Sequence, residues 1–154
     1  MKIIKAEITE LDTIRSIVQD TIRAVYPRYY PKGAVDFFLA HHSDENIIKD
    51  ITAGNVCILL NEEGQPAGTV TTAENELNRL FVLPEYQGHG YGGELIRFAE
   101  NVIFEKYDRV VLSASLPAKN IYLKRGYSCT EYNMTECPNG DFLCYDEMIK
   151  LRDD

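Results

Sequence analysis

The sequence predicts an α/β (α+β) fold: one mixed, mostly antiparallel sheet of six to seven strands with helices on both faces. Three observations carry that prediction. Segments with apolar residues at helical spacing alternate with short β-rich runs, and no repeat, linker or low-complexity stretch interrupts them. Residues 76–113 read as strand, glycine-rich loop, helix and strand, a βαβ unit that requires one parallel pair. Residues 127–151 read as a terminal hairpin around Asn139-Gly140.

The elements follow in order. Residues 2–8 read as a strand. Thr9 with Asp12 three positions on resembles a capping box. Leu11, Ile14, Val18, Ile22 and Val25 then recur at helical spacing, so a helix runs to about Tyr26, where Pro27 stops it. Pro31 can begin a second helix toward His41. Ser43 or Asp44 can cap a third, carrying Ile47, Ile48 and Ile51 and ended by Gly54. Val56–Asn61 and Ala67–Thr72 flank the turn Glu62-Glu63-Gly64-Gln65-Pro66, and Glu76–Leu83 is the next strand. From about Gly90 to Lys106 a helix presents Leu95, Ile96, Ala99, Val102 and Ile103 on one face. Arg109–Ser113 is β-rich. Pro117 begins a short helix that Gly126 terminates, and residues 127–136 and 142–151 complete the hairpin.

With 154 residues the chain suits one domain, 1–154, large enough for a real core. The net charge of −8 disfavours nonspecific nucleic-acid binding. The apolar runs fall far short of a membrane span, and Met1–Glu7 has no secretory apolar region, so a cytoplasmic protein with no membrane contact is expected. The four cysteines, Cys57, Cys129, Cys137 and Cys144, match no zinc spacing, and reduced thiols are the expectation in a reducing compartment. Cys137 and Cys144 flank the last turn and are expected to face each other across the hairpin. No motif supplies a metal site.

The functional signal lies in Gln87-Gly88-His89-Gly90-Tyr91-Gly92-Gly93, between the apolar run Leu80–Pro84 and the amphipathic segment from Leu95. Amides at a helix start lack intrahelical partners, and glycines let the main chain curl around a ligand, so this is an anion site. A P-loop needs Lys-Ser/Thr after the last glycine, and Glu94 stands there instead. Gly88, Gly90 and Gly93 satisfy the dinucleotide pattern, but Asp108 precedes the following strand instead of ending it. Gln87, Gly90 and Gly92 fill Gln-x-x-Gly-x-Gly. Ser115–Tyr127 resembles a second block, Asn-x-x-Ala-x-x-x-Tyr-x-Lys-x-Gly-(Phe/Tyr). Together, over roughly 76–127, these resemble the coenzyme A loop and following motif of the GNAT superfamily of N-acetyltransferases.

The resemblance implies direct transfer of an acetyl group from acetyl-CoA to a primary amine of a small molecule or peptide, on a sheet whose parallel pair splays. It assigns the pyrophosphate to the amides of Gly88, His89, Gly90, Tyr91, Gly92 and Gly93 in the loop that Gln87 opens. The pantetheine arm goes to the backbone of Leu80, Phe81 and Val82, and an amide near Val82 receives the thioester oxygen. Arg or Lys is common among the family's loop glycines, whereas this chain has Gly88 and His89; Lys119, Lys124, Arg125 and Arg97 remain candidates for the coenzyme phosphates. The motif's usual Asn is Ser115, which can still donate to the pantetheine. Tyr122 is the candidate general acid toward the leaving thiolate, since a phenol near pKa ~10 can donate to a sulfur whose thiol lies near ~8.5. Glu76 is the candidate base, with His41 and His42 as alternatives. Tyr26, Tyr29, Tyr30, Phe37, Phe38 and Tyr132 are candidates for the acceptor pocket, although Phe37 and Phe38 are individually expected in the core. The family allows a homodimer. A non-catalytic acyl-CoA-binding or regulatory module is the alternative to the enzyme.

Overall fold

In a computed structural model, which describes residues 1–153, the apolar positions of Leu11–Val25 form one stripe of a helix, α1. Ile14, Ile17, Val18 and Ile22 are buried along it. Helix α2 (Lys32–His41) and helix α3 (Asp44–Thr52) follow. Ser43 caps α3 by accepting from the Asn46 N–H at 3.4 Å, and Asp44 and Glu45 complement the dipole of its first turn. Arg15 ties α1 to α3 by donating from Nε and Nη2 to the two oxygens of Asp44, both at 2.6 Å.

Seven strands make one sheet: β1 (Lys2–Lys5), β2 (Val56–Leu60), β3 (Pro66–Ala73), β4 (Glu76–Val82), β5 (Arg109–Ala114), β6 (Ser128–Glu136) and β7 (Phe142–Leu151). Their order is β1-β2-β3-β4-β5-β7-β6, and every neighbour is antiparallel except β4 and β5. The crossover between that parallel pair carries helix α4 (Tyr91–Phe104), and α5 (Lys119–Lys124) leads into β6. Strand alternation sorts the core into two layers. Val56 and Ile58 face α1, α2 and α3; Leu59, Val110, Leu112 and Ala114 face Leu95, Ile96, Ala99 and Ile103 of α4.

One irregularity organises the sheet. Thr71 pairs with Asn78 and Thr69 with Phe81, so β4 uses one more residue than β3 over this interval. The extra residue is a bulge at Arg79 and Leu80, and Arg79 has a left-handed φ of 46°. An inserted residue inverts the pleat: Leu77 packs on the α4 side, whereas Phe81, of the same parity, packs on the α1 side.

Several boundaries differ from expectation. Strand β1 ends at Lys5, the last residue in register with β2, at Cys57; the Ala6 N–H still donates to the Val56 carbonyl at 2.8 Å, and Ile8 already opens the next turn. The first helical turn is organised by Glu7 and Glu10 in place of Thr9 and Asp12: the Glu7 N–H donates to Glu10 Oε2 at 2.8 Å, and Ile8–Glu10 is a 3-10 turn leading into α1. Val102, expected on the core face of α4, is 40% exposed. Its place inside is taken by Glu100, whose buried carboxylate accepts from Tyr127 OH and Lys150 Nζ, both at 3.1 Å. Cys137 and Cys144 do not face each other. Cys144 pairs with Met134, while the Cys137 N–H closes the turn onto the Asp141 carbonyl at 2.7 Å, and both thiols are free. Among the described residues no helix is long and apolar enough to cross a membrane.

The Glu100 arrangement makes a stability prediction. Lys150→Met leaves the Glu100 carboxylate buried without its cation and is expected to cost about 3 kcal/mol in chemical denaturation. Adding Glu100→Gln to that variant should recover most of the loss, because no charge is then left unpaired.

Candidate active site

Strands β4 and β5 share one ladder pair, Glu76 with Val111, and the Val111 N–H donates to the Asn75 carbonyl at 3.0 Å. Past this point the bulge bends β4 and the two strands part. A cavity of about 560 Å³ is lined from both sides of the parting. Glu76, Arg79, Leu80 and Phe81 line it from β4, and Ser113, Ser115 and Tyr122 line it from β5 and the segment after it. The aromatic wall is Tyr26, Phe37, Phe38 and Tyr145. Phe38 packs against the core as expected while also lining the cavity, whereas Phe37, likewise expected in the core, is 38% exposed at the cavity. Tyr29 and Tyr132 are exposed away from it. Tyr30 forms a structural bridge instead. Its hydroxyl accepts from the Leu116 N–H at 2.7 Å and donates to the Cys144 carbonyl at 3.0 Å. That bridge fixes the start of the turn that leads from Ser115 into α5.

Val82 lies at the end of β4. The Leu83 N–H donates to the Ala67 carbonyl of β3 at 2.9 Å, and alternate residues of an antiparallel strand turn their polar groups to alternate edges. The Val82 N–H therefore faces the β5 side. Its carbonyl accepts from Gln87 Nε2 at 2.9 Å, so Gln87 folds the glycine loop back onto the strand end.

The loop then presents an open cradle. Gly88 and Gly90 have φ of 79° and 84°, and no atom lies within 4 Å of where a β-carbon would stand at either. Gly90 is the N-cap of α4, whose first turn bonds from the Glu94 N–H to the Gly90 carbonyl at 3.1 Å. The amides of Tyr91, Gly92 and Gly93 consequently have no intrahelical partner and point out of the helix start. His89 fixes the loop from outside: its Nδ1 lies 3.0 Å from the Tyr86 and Gln87 carbonyls, so Nδ1 carries a proton, and its ring stacks on Tyr91. Of the candidate cations, Arg125 reaches the cradle. Its Nη1 lies 3.3 Å from where a β-carbon on Gly93 would be, and its buried Nε has no partner among the described residues. Lys119 pairs with the buried Asp146 at 3.0 Å, and Arg97 pairs with Glu94 on its own helix.

Tyr122 is buried, and burial together with the neighbouring Tyr26 phenol raises its hydroxyl well above the usual phenol range. The ring packs edge-on against Tyr127, with centroids 5.3 Å apart. Tyr26 OH donates to Ser115 Oγ at 3.3 Å, and burial pushes this phenol up to about 12. Both hydroxyls stay protonated at working pH. Glu76 is solvent-exposed at the cavity rim, as is His41. His42 is different: it is buried, its Nδ1 accepts from Arg79 Nε at 3.2 Å, and burial with the Arg79 charge pushes it down to about 3. Burial and the Arg79 charge thus work against proton uptake by this ring.

Sequence reading missed Arg79. It is 7% exposed, donating from Nη1 to Asp50 Oδ2 at 2.6 Å and to Thr71 Oγ1 at 3.4 Å. A signal was present: at odd positions of β4, arginine stands between Leu77 and Phe81, where alternation calls for an apolar side chain.

His42 gives the fold an acid sensitivity. Its folded value of about 3 lies below the ordinary 6.5, so the unfolded chain binds the extra proton between these values. Its contribution is whole above pH 6.5 and is lost as pH falls toward 3, with a slope of up to about 1.4 kcal/mol per pH unit. Urea denaturation between pH 7 and 4 should show this decline, and His42→Gln should flatten it.

Comparison with known proteins comes to the same fold. Residues 25–138 match the family model described as an acetyltransferase (GNAT) domain. The chain is similar to the GCN5-related N-acetyltransferase structure from Rhodopseudomonas palustris, at 19% identity and TM-score 0.88, over 98% of this chain and 95% of that one. It is also similar to the PaiA N-acetyltransferase of Thermoplasma acidophilum in complex with coenzyme A, at 19% identity and TM-score 0.71, over 98% of each chain. YncA of Salmonella typhimurium, solved with acetyl-CoA, is 17% identical at TM-score 0.73, over 100% of this chain and 95% of that one. Against curated proteins, no sequence matches.

Proposed function

The chain belongs to the GNAT acetyltransferase family and is an acyltransferase, and on that premise we propose that it moves an acetyl group from acetyl-CoA directly to a primary amine of a small molecule or peptide. The observation that carries this reading is the meeting of Tyr122, Ser115 and Glu76 on one cavity at the parting of β4 and β5. We read residues 1–154 as one N-acetyltransferase domain.

The residues fit the coenzyme. An open glycine cradle with unpartnered first-turn amides, and Arg125 beside Gly93, suit a pyrophosphate. Gly88, His89, Gly90, Tyr91, Gly92 and Gly93 would hold it, and Gln87 would keep the loop in place. Leu80, Phe81 and Val82 lie past the only β4–β5 ladder pair among the described residues, which leaves the β5-facing edge of this segment, with the Val82 N–H, available to the pantetheine arm. Acetyl-CoA supplies the activated thioester. The Val82 N–H would donate to the oxygen on which negative charge develops. Ser115 Oγ accepts from Tyr26 and keeps its own proton to donate to the pantetheine.

Tyr122 acts toward the departing sulfur. Its raised affinity for the proton keeps the hydroxyl available as a donor, while full loss of that proton to the sulfur is costly in a buried site. Tyr122 therefore stabilises the sulfur mainly through a hydrogen bond, and the proton that completes the thiol comes ultimately from the amine. An alkyl amine near pKa ~10.4 arrives protonated at pH 7. Glu76 at the solvent-exposed rim takes that proton through water.

The test is thiol release from acetyl-CoA across a panel of amines. Tyr122→Phe is expected to lower kcat by about 10²–10⁴ while thermal stabilisation by acetyl-CoA persists. The wild-type rate should rise with pH as the amine deprotonates and show no decline up to about pH 10, because burial keeps Tyr122 protonated there. Glu76→Gln should move the rise to higher pH. Stabilisation by acetyl-CoA without thiol release from any amine would favour a coenzyme-binding module over an enzyme. Absence of stabilisation would overturn the coenzyme reading of the glycine loop.

A further inference from the structure

Arg79 is a buried cation on the wall of the same cavity, and its donors are unequally occupied. Nε donates to His42 Nδ1 at 3.2 Å, and Nη1 donates to Asp50 Oδ2 at 2.6 Å and Thr71 Oγ1 at 3.4 Å. Nη2 has no hydrogen-bond partner among the described residues, and it is not among the buried atoms left unsatisfied, so it keeps access to the open side. The guanidinium is thus locked in direction by three contacts, while one amino group, with two N–H donors, is left open on a residue that lines the cavity. His42 accepts from Arg79 and, being buried, stays uncharged, which leaves Lys49 as the other cation lining the cavity.

We infer that Arg79 Nη2 binds a carboxylate of the acceptor, so that the amine substrate is an amino acid or another amine bearing a carboxylate. The inference rests on the acetyl-transfer reading of the cavity. A charge-assisted hydrogen bond from arginine to a carboxylate is strong where both groups are shielded from water, and with Nε and Nη1 engaged it is made here by Nη2 alone. The charge count favours a monoanion: Asp50 already shares Arg79, and a dianion would meet the Asp50 carboxylate at close range. Exposed Glu76 lies at the rim of the same cavity, so the acceptor's ammonium and carboxylate each have an opposite charge available.

The experiment compares pairs of amines that differ only in this group, such as glycine with glycinamide and alanine with alaninamide. Wild type is expected to favour the carboxylate member in kcat/KM by about 10- to 100-fold over the ratio found for Arg79→Gln, the range for a hydrogen bond to a charged group. Taking the ratio between variants cancels the different basicities of the paired amines. A product ligand gives a readout independent of turnover: N-acetylglycine should stabilise wild type thermally more than N-acetylglycinamide does, and Arg79→Gln should lose that difference. Should Arg79→Gln fail to fold, Asp50→Asn keeps the guanidinium and removes its competing carboxylate, so the N-acetylglycine shift should grow. Equal behaviour of the paired ligands in wild type, or a preference that survives Arg79→Gln, overturns the inference and leaves acetyl transfer standing. Failure of acetyl transfer itself shows separately, as no thiol release from any amine in the panel.

Discussion

At Arg79 the backbone takes a left-handed φ of 46°, a conformation that costs a residue with a β-carbon about 1–3 kcal/mol. The residue persists there because its side chain is over-determined. Asp50, Thr71 and His42 hold the guanidinium from α3, β3 and the end of α2. Releasing it would leave a cation buried with no partner, which is costlier than the strain. Everything functional in the sheet follows from this bulge. It bends β4 away from β5 after their single ladder pair and thereby opens the cavity. It also inverts the pleat, so that Phe81 turns to the aromatic wall and Val82 packs toward α4.

The two halves of the site are built by different physics. The glycine cradle is main chain: left-handed glycines and a helix start whose first-turn amides lack intrahelical partners. Side chains there serve as braces, with Gln87 tying the loop to Val82 and the His89 ring holding two loop carbonyls. Such a cradle depends little on which side chains occupy the loop. The cavity is the opposite case. Its polar groups are side chains brought from the turn after α1, from α3, from β4 and from the segment after β5, and several are held by a second contact. Tyr26 meets Ser115, Tyr30 pins the turn after Ser115, and Tyr127 packs against Tyr122 while bonding the buried Glu100.

This division decides what could be read in the sequence. The element order was legible because it depends on local periodicity and punctuation: the α1 stripe, Ser43 before α3 and Gly126 after α5 all sit where expected. The cradle was legible because glycines at fixed spacing are a local necessity. Side chains that act through distant partners were not. The expectation of Val102 inside α4 follows from an apolar count, yet Glu100 takes the buried position because Tyr127 and Lys150, which satisfy it, come from residues 27 and 50 positions away. Likewise Tyr26 and Tyr30 look alike in the sequence, and only tertiary contacts send one to the cavity and the other to a structural bridge.

Arg79 couples the backbone to the side chains. A buried ion pair adds little stability for its own sake, since desolvation consumes most of the attraction. Hydrophobic residues could fill the same volume at less cost, but they would not hold the left-handed turn by contacts from three elements. The guanidinium can do so because its donors are fixed in one plane and reach His42, Asp50 and Thr71 together. The same rigidity aims the remaining amino group. Strand geometry, cavity and an oriented positive charge are therefore consequences of one residue, and its burial makes the bulge and the electrostatics of the cavity inseparable.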